Sequence, residues 1–330
     1  MGRAVSLQRP LWRRRDGPLS VPILLASSGV ALGLGLVLPV VDVRSGLATE
    51  GFSVLSGIED LFQNGNVLLA GIVLCFSVLF PIVKLGTVAF LVYRPVEQEK
   101  RLRQLALLSL LGRWSMLDVF VIAILIGALS LGILANASAR DGIYVFAAAI
   151  LLSMITTMRV AAWAEARAGH PALADVPLGG PRGRWRSLLT LIVFVGGLFF
   201  PLMELEKLVF WKNEYSLVRG IVVMWEEGEI PLALFLLVFA VLLPLARLVG
   251  LVALRFGRAP KGVESGVRRL EKWSMLDVFV LALLVVAAKI GDAARFEPRI
   301  GFWLLLAAAG LALFDSWGVR RTRPWTRGTW

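Results

Sequence analysis

An eight-residue sequence occurs twice in this chain, 159 positions apart, and constrains the fold more than any other feature. Residues 114–121 read Trp-Ser-Met-Leu-Asp-Val-Phe-Val, and residues 273–280 are identical. A repeat of this kind indicates two copies of one structural unit. Each copy follows a basic segment and opens a long apolar run, which predicts an aspartate just inside a membrane helix. An ionisable residue there is costly and marks a candidate functional site.

Apolar runs of about 18 residues or more recur along the chain, long enough to cross roughly 30 Å of hydrocarbon. With 58% hydrophobic residues, 18% charged residues and a mean hydropathy of +0.77, the chain is typical of a membrane protein. The first apolar run has no convincing cleavage site, so we interpret it as a retained helix. We predict an all-α polytopic fold with eight transmembrane helices, at 21–41, 67–93, 114–135, 143–163, 187–203, 231–254, 273–290 and 300–318.

The net charge of +12 comes mainly from basic residues between the apolar runs. This distribution follows the positive-inside rule and argues against a nucleic-acid partner. The N- and C-termini, the linker and the two basic loops (94–113 and 255–272) should therefore face the cytoplasm, which makes the halves parallel four-helix repeats. The predicted domains are a basic N-terminus (1–20), a first membrane repeat (21–163), a cytoplasmic linker (164–186), a second membrane repeat (187–318) and a basic tail (319–330).

The two long loops predicted to face outward are acidic, and residues 42–66 carry four acids against one base. In each loop, apolar residues recur at spacings of 3, 3 and 4, over 52–62 and 215–225, which predicts one face of a short helix. Such helices either rest on the lipid surface or contact a partner, and both interpretations stay open. In the first span, Gly29 and Gly33 have the spacing that lets helices approach closely.

Charged and hydroxyl side chains inside the predicted membrane helices form the candidate transport network. Its members are Lys84, Ser115, Asp118, Arg247, Ser274, Asp277, Lys289 and Asp315. In each half, a cation of the second span is expected to pair with the signature aspartate, and a serine precedes that aspartate by three residues on the same helix face. Such pairs either lock neighbouring helices together or belong to a network whose acids exchange protons during transport.

The sequence does not indicate an enzyme, because it contains no phosphate-binding loop, dinucleotide fingerprint or G-x-S-x-G motif. His170 is the only histidine and lies in the polar linker, whereas Cys75 is the only cysteine and lies in an apolar run. A single cysteine forms neither an intramolecular disulfide nor a thiolate cluster. We therefore expect no catalytic site, metal or cofactor.

The signature copies resemble the paraquat-inducible protein A family of bacterial inner-membrane proteins. The resemblance covers about 20–320 and includes Pro81-x-x-Lys84, Pro244-x-x-Arg247 and Lys289-Ile290-Gly291. It implies a multi-pass component that loads or extracts phospholipid for a periplasmic MCE-domain partner. It also carries the family's polar membrane residues onto Arg247, Ser274 and Asp277, with first-half counterparts at Lys84, Ser115 and Asp118.

The chain departs from this family at its cytoplasmic segments. Members often carry zinc ribbons built from paired C-x-x-C motifs, but residues 1–20 and 164–186 contain no cysteine, so we expect no zinc. Two other functions stay open: a non-transporting scaffold that anchors an MCE assembly, and an independent proton-coupled carrier of small solutes. A scaffold should tolerate Asp277→Asn and Arg247→Gln, and a carrier should work without a partner.

Overall fold

The chain forms two compact units, which consist of helices and one small antiparallel sheet each. The first unit comprises Met1–Val119 and Ala135–Ala172, and the second comprises Phe120–Leu134 and Leu173–Trp330. The structure, a computed structural model, describes residues 20–45, 48–112, 116–117, 119–121, 123–124, 137–167, 181–207, 211–257, 262–291 and 296–321.

The described elements follow the same order in each half of the chain, except that the second half has one more helix, Leu276–Gly291, before its last strand. The first half contains α1 (Ser20–Val37), β1 (Pro39–Ser45), β2 (Ala48–Ser53), α2 (Val54–Gln63), α3 (Val67–Val73), a π-helical segment (Leu74–Leu79), α4 (Phe80–Tyr93), α5 (Gln98–Leu111), β3 (Ala137–Ala139) and α6 (Asp141–Arg167). The second half contains α7 (Pro181–Phe199), β4 (Met203–Lys207), β5 (Trp211–Tyr215), α8 (Leu217–Glu226), α9 (Ile230–Leu236), a π-helical segment (Leu237–Leu242), α10 (Leu243–Arg255), α11 (Val263–Trp273), α12 (Leu276–Gly291), β6 (Phe296–Pro298) and α13 (Ile300–Arg321).

Four helical stretches in the described part of the chain are long and apolar enough to cross a membrane. They are Ser20–Val37, Leu74–Tyr93, Asp141–Ala166 and Ile230–Arg255. At 1.5 Å of rise per residue, even the shortest covers about 27 Å. Large apolar side chains on these helices, such as Val30 and Val83, are exposed. Exposure to lipid tails costs such side chains little, so these surfaces suit a bilayer.

The prediction of an all-helical chain is incomplete, because each half also contains a three-stranded antiparallel sheet. In the first sheet β1 lies between β2 and β3, and in the second β4 lies between β5 and β6. Pro39, predicted to lie inside span one, instead starts β1, since proline restricts the preceding residue to extended conformations. Residues 137–139, between the third and fourth predicted spans, form β3. An ion pair between Arg140 Nε and Asp42 Oδ2, 2.9 Å apart, links the residue that follows β3 to β1.

The two basic segments 94–113 and 255–272 are largely helical, so their assignment as loops was wrong. Helix α5 packs on α6 and α11 packs on α10. The apolar face of α5 enters a core cluster with α1, α4 and α6, to which Leu105 and Leu108 contribute. The guanidinium of Arg101 is buried on α5 and donates to the carbonyl of Arg94. The charge pattern of these segments did not reveal that they form helices packed against the neighbouring helices α6 and α10.

The short amphipathic helices predicted in the two acidic loops are confirmed as α2 and α8. Each begins at a serine N-cap, because the side chains of Ser53 and Ser216 accept hydrogen bonds from the third backbone amide of the helix. Each is followed by a glycine with positive φ, Gly65 at 78° and Gly228 at 88°. Glycine adopts this conformation without steric cost, so it ends both helices at equivalent places.

Of the three glycines on α1, only Gly35 lies in close contact with α6, whereas the predicted pair Gly29 and Gly33 does not. A Cβ on Gly35 would lie 2.7 Å from Phe146 Cα, whereas at Gly29 and Gly33 no described atom would lie within 4 Å. In the second unit, a Cβ on Gly197 of α7 would lie 2.8 Å from the side chain of Leu305 on α13. The absence of a side chain therefore permits the α1–α6 and α7–α13 contacts.

We predict that Gly35→Ala destabilises the protein by about 1–3 kcal/mol, because the new methyl group overlaps the backbone of Phe146. Gly33→Ala is the matched control on the same helix, and it should be neutral or slightly stabilising, since alanine favours a helix more than glycine does. Thermal unfolding of the detergent-solubilised protein measures both effects. Equal shifts for the two variants would contradict the proposed helix contact.

Candidate functional site

Each half contains one long helix that changes hydrogen-bond register shortly before its intramembrane cation. The amide of Phe80 donates to the carbonyl of Cys75, and the amide of Leu243 donates to Val238, both five residues back. Pro81 and Pro244 follow at once, and a proline offers no amide donor for the regular helix pattern. Single π-helical segments of this kind often occur at functional sites. Lys84 and Arg247 each lie three residues beyond these prolines.

Lys84 is enclosed within the first unit. Its side chain is 1% exposed, and Nζ has no hydrogen-bond partner in the part of the chain that the structure describes. The ammonium lies beside Gly112, the C-cap of α5, where a Cβ would be 2.8 Å from Nζ. A helix carboxyl end favours a cation, because its exposed carbonyl groups amount to about half a negative charge. That end of α5 therefore stabilises the ammonium only in part.

Arg247 has the corresponding position in the second unit but faces a different neighbour. Its Nη2 atom lies 3.9 Å from Oε1 of Glu271, with side-chain exposures of 14% and 43%. Sequence analysis missed Glu271 because it lies in the basic segment that was assigned as a loop. Alignment of the two signature copies could have identified Glu271, because Glu271 and Gly112 each precede a signature tryptophan by two residues. The acid and the glycine are therefore alternative neighbours of equivalent cations.

Ser274 and Asp277 lie at the junction between α11 and α12. Ser274 is buried, and its amide donates to the carbonyl of Leu270 at 2.7 Å, which ends α11. Asp277 lies in the first turn of α12, where the helix dipole stabilises a carboxylate. Arg247 contacts α11 through its ion pair with Glu271, and α11 ends at Ser274, three residues before Asp277. A direct pair between Arg247 and Asp277 stays a prediction.

Part of the predicted network lies outside the described residues. This applies to Ser115 and Asp118, so the pairing of Lys84 with Asp118 also stays a prediction. For Lys289 and Asp315 only the backbone is described, in α12 and α13. Within the described ranges, no group of three or more His, Cys, Asp or Glu residues is arranged to hold a metal ion.

The signature phenylalanines meet in an aromatic cluster of the second unit. The ring of Phe120 lies 5.1 Å from that of Phe235 and 5.7 Å from that of Phe279, in tilted and edge-on arrangements. Phe120 and Phe279 are the seventh residues of the two signature copies. Aromatic pairs at these distances add stability beyond their burial. The cluster therefore helps to hold the start of α12 next to the helix that carries Arg247.

Several apolar helices, one with a buried cation and one with a half-buried cation, define a multi-pass membrane protein. The model of the family described as "Paraquat-inducible protein A" matches residues 20–164 and 185–328. The chain belongs to this family. The two matched segments correspond to the two halves of the chain.

Three curated relatives are similar to part of the chain. "Intermembrane transport protein PqiA" of Escherichia coli (strain K12) is 28% identical over 42% of this chain and 35% of its own length. "Lipophilic envelope-spanning tunnel protein A" of the same strain is 30% identical over 47% of this chain and 37% of its own length. A "Probable intermembrane transport protein" of Haemophilus influenzae is 28% identical over 37% of this chain and 30% of its own length. The chain thus spans about a third of the length of the curated relatives it matches. No solved structure matches it.

We predict a coupling free energy of about 0.5–1 kcal/mol between Arg247 and Glu271, because their separation is long and the acid is half exposed. A double-mutant cycle with Arg247→Gln and Glu271→Gln, followed by unfolding in detergent, measures this value. The control cycle uses Arg103 and Glu99, an exposed pair on α5 with N–O distance 2.7 Å. The control should give about 0.3–0.5 kcal/mol. A coupling free energy of zero between Arg247 and Glu271 would show that Glu271 does not interact with the cation and is not part of the site.

Proposed function

We propose that this chain is the inner-membrane component of an MCE-type system that moves phospholipids between membranes. Its role is to load or extract lipid rather than to catalyse a reaction. The observation that carries the proposal is the ion pair between Arg247, on a helix long and apolar enough to cross a membrane, and Glu271, in a chain that belongs to this family. The names of the relatives, which refer to intermembrane transport and to an envelope-spanning tunnel, support the same role.

The proposed topology has eight membrane helices in two parallel repeats, with both termini in the cytoplasm. Four helices of sufficient length and the recurrent order of elements support it. The sheets and the helices α2 and α8 then lie on the outward side. They combine acidic residues with exposed apolar side chains such as Phe62 and Trp225. This surface is the proposed docking region for a periplasmic MCE-domain partner.

The proposed mechanism couples lipid movement to protonation of Asp277. Charged groups held in an apolar medium change their interactions strongly when a proton is gained or lost. Protonation of Asp277 would remove a negative charge from the helix pair that also carries Arg247 and Glu271. The α11–α12 junction at Ser274 would then shift between two arrangements, one of which admits lipid. Lys289 and Asp315 extend this proposed network.

A scaffold role is the alternative that the ion pair itself favours. A pair between Arg247 and Glu271 at 3.9 Å is also what a purely structural link between α10 and α11 would contain. A scaffold needs the folded shape but not a proton that leaves and returns. Substitutions that keep volume and remove charge therefore separate the two functions.

We predict that Asp277→Asn lowers phospholipid transport at least about tenfold while the protein still folds, because the substitution keeps the side-chain volume but removes the titratable charge. Asp141→Asn is the matched control, since Asp141 also lies in the first turn of a helix but is exposed. The assay follows labelled phospholipid in both directions between the inner and outer membranes of cells that carry each variant. Wild-type transport by a correctly folded Asp277→Asn variant would overturn the mechanism and leave the scaffold role.

A further inference from the structure

Two enclosed polar side chains lie on the long helix of the first unit. Ser77, in the π-helical segment, and Lys84, in α4, are each 1% exposed. Neither Ser77 Oγ nor Lys84 Nζ has a hydrogen-bond partner in the described part of the chain. Enclosed polar groups are normally bonded, since leaving them unpaired costs free energy. Two such groups seven residues apart on one helix indicate a place for a ligand that supplies the missing partners.

The second unit shows which kind of group is missing. There, Arg247 has the carboxylate of Glu271 at 3.9 Å. In the first unit the position equivalent to Glu271 is Gly112, which presents no side chain to the Lys84 ammonium. Ser77 also has no counterpart in the second unit, because Ala240 stands at the equivalent position. Among the described residues, the first unit therefore has a cation and a hydroxyl group without an anion, whereas the second has a cation paired with an anion.

The ligand that fits is an anion with several acceptor oxygens. The carboxyl end of α5 offsets only about half of the ammonium charge, so an anionic group is still favoured next to Nζ. A phosphate accepts short, charge-assisted hydrogen bonds from such an ammonium. Ile82 and Val83, on the same helix beside Lys84, are 50% and 61% exposed on the apolar surface. These exposed side chains face the bilayer, so the phosphate-bearing molecules nearest to this helix are lipids.

We propose that Lys84 and Ser77 form a binding site for the phosphate-bearing headgroup of a lipid, which takes the place that the Glu271 carboxylate has in the second unit. The ammonium of Lys84 holds the phosphate. Seven residues correspond to about 10 Å along a helix, so Ser77 contacts ester oxygens of the same lipid rather than the phosphate. The proposal rests on the proposed lipid-transport function and assigns the first unit a lipid-holding role within it.

The test measures lipid binding to the full-length, delipidated protein in mild detergent by calorimetry. The probes are dihexanoyl phosphatidylglycerol, inorganic phosphate and dihexanoylglycerol, which lacks the phosphate. Lys84→Met should weaken binding of the phospholipid at least about tenfold, since it removes a charge-assisted contact. Ser77→Ala should weaken it about threefold, as expected for one neutral hydrogen bond.

Matched controls use the same residue types outside the site. Lys100→Met removes an exposed lysine that pairs with Glu97, and Thr87→Val removes a hydroxyl on the exposed side of α4. Both should leave the affinity within about twofold of the wild type, because neither residue is enclosed. If Lys84→Met does not fold, Ser77→Ala still tests the proposal, since it removes only one atom.

Tight binding of phosphatidylglycerol that depends on Lys84 and Ser77, with no binding of dihexanoylglycerol, would support the proposal. Binding of inorganic phosphate with the same affinity and the same dependence would assign the site to free phosphate and overturn the lipid assignment. Unchanged phospholipid binding in the folded variants would overturn the site altogether. The measurement involves neither transport nor a partner, so its failure is distinct from failure of the proposed function.

Discussion

The free-energy cost of a cation on an apolar membrane helix is the constraint on which the rest of the structure depends. Such a charge persists only where a carboxylate, a helix end or a bound anion stabilises it. Arg247 has Glu271 on α11, and Lys84 has the carboxyl end of α5. In both cases the stabilising group comes from a helix of a basic segment. The two cations on the long helices are therefore stabilised only when α5 and α11 pack against those helices.

Duplication followed by divergence explains why the two halves share a framework but differ at their charged sites. Equivalent glycines, Gly35 and Gly197, allow equivalent helix contacts, and equivalent serine caps begin α2 and α8. The framework residues therefore match, whereas the neighbours of the cations do not. One half keeps an internal ion pair, and the other keeps an enclosed ammonium beside a glycine. The proposed lipid-transport function needs both a part that holds the lipid and a part that changes state, and two diverged copies can divide these tasks.

The sequence predicted the features that local patterns determine. The apolar runs located the long helices, and the spacing of 3, 3 and 4 located α2 and α8 to within two residues. The sheets could not be predicted, because β3 has only three residues and exists through pairing with β1, about 95 positions earlier. Glu271 was missed because the charges of residues 255–272 were interpreted as those of a loop. The helix α11 in this segment nevertheless has an apolar face, which includes Val267 and packs on α10. Long-range pairing and packing, not local propensity, determined these features.

The central claim is that this chain works with lipid and with a periplasmic partner rather than alone. The most direct measurement is purification from native membranes in mild detergent, followed by mass spectrometry of the proteins and lipids that accompany it. The account predicts an MCE-domain protein and phospholipid in stoichiometric amounts. A protein that purifies without partner and without phospholipid would contradict the account and would instead favour an independent carrier of small solutes.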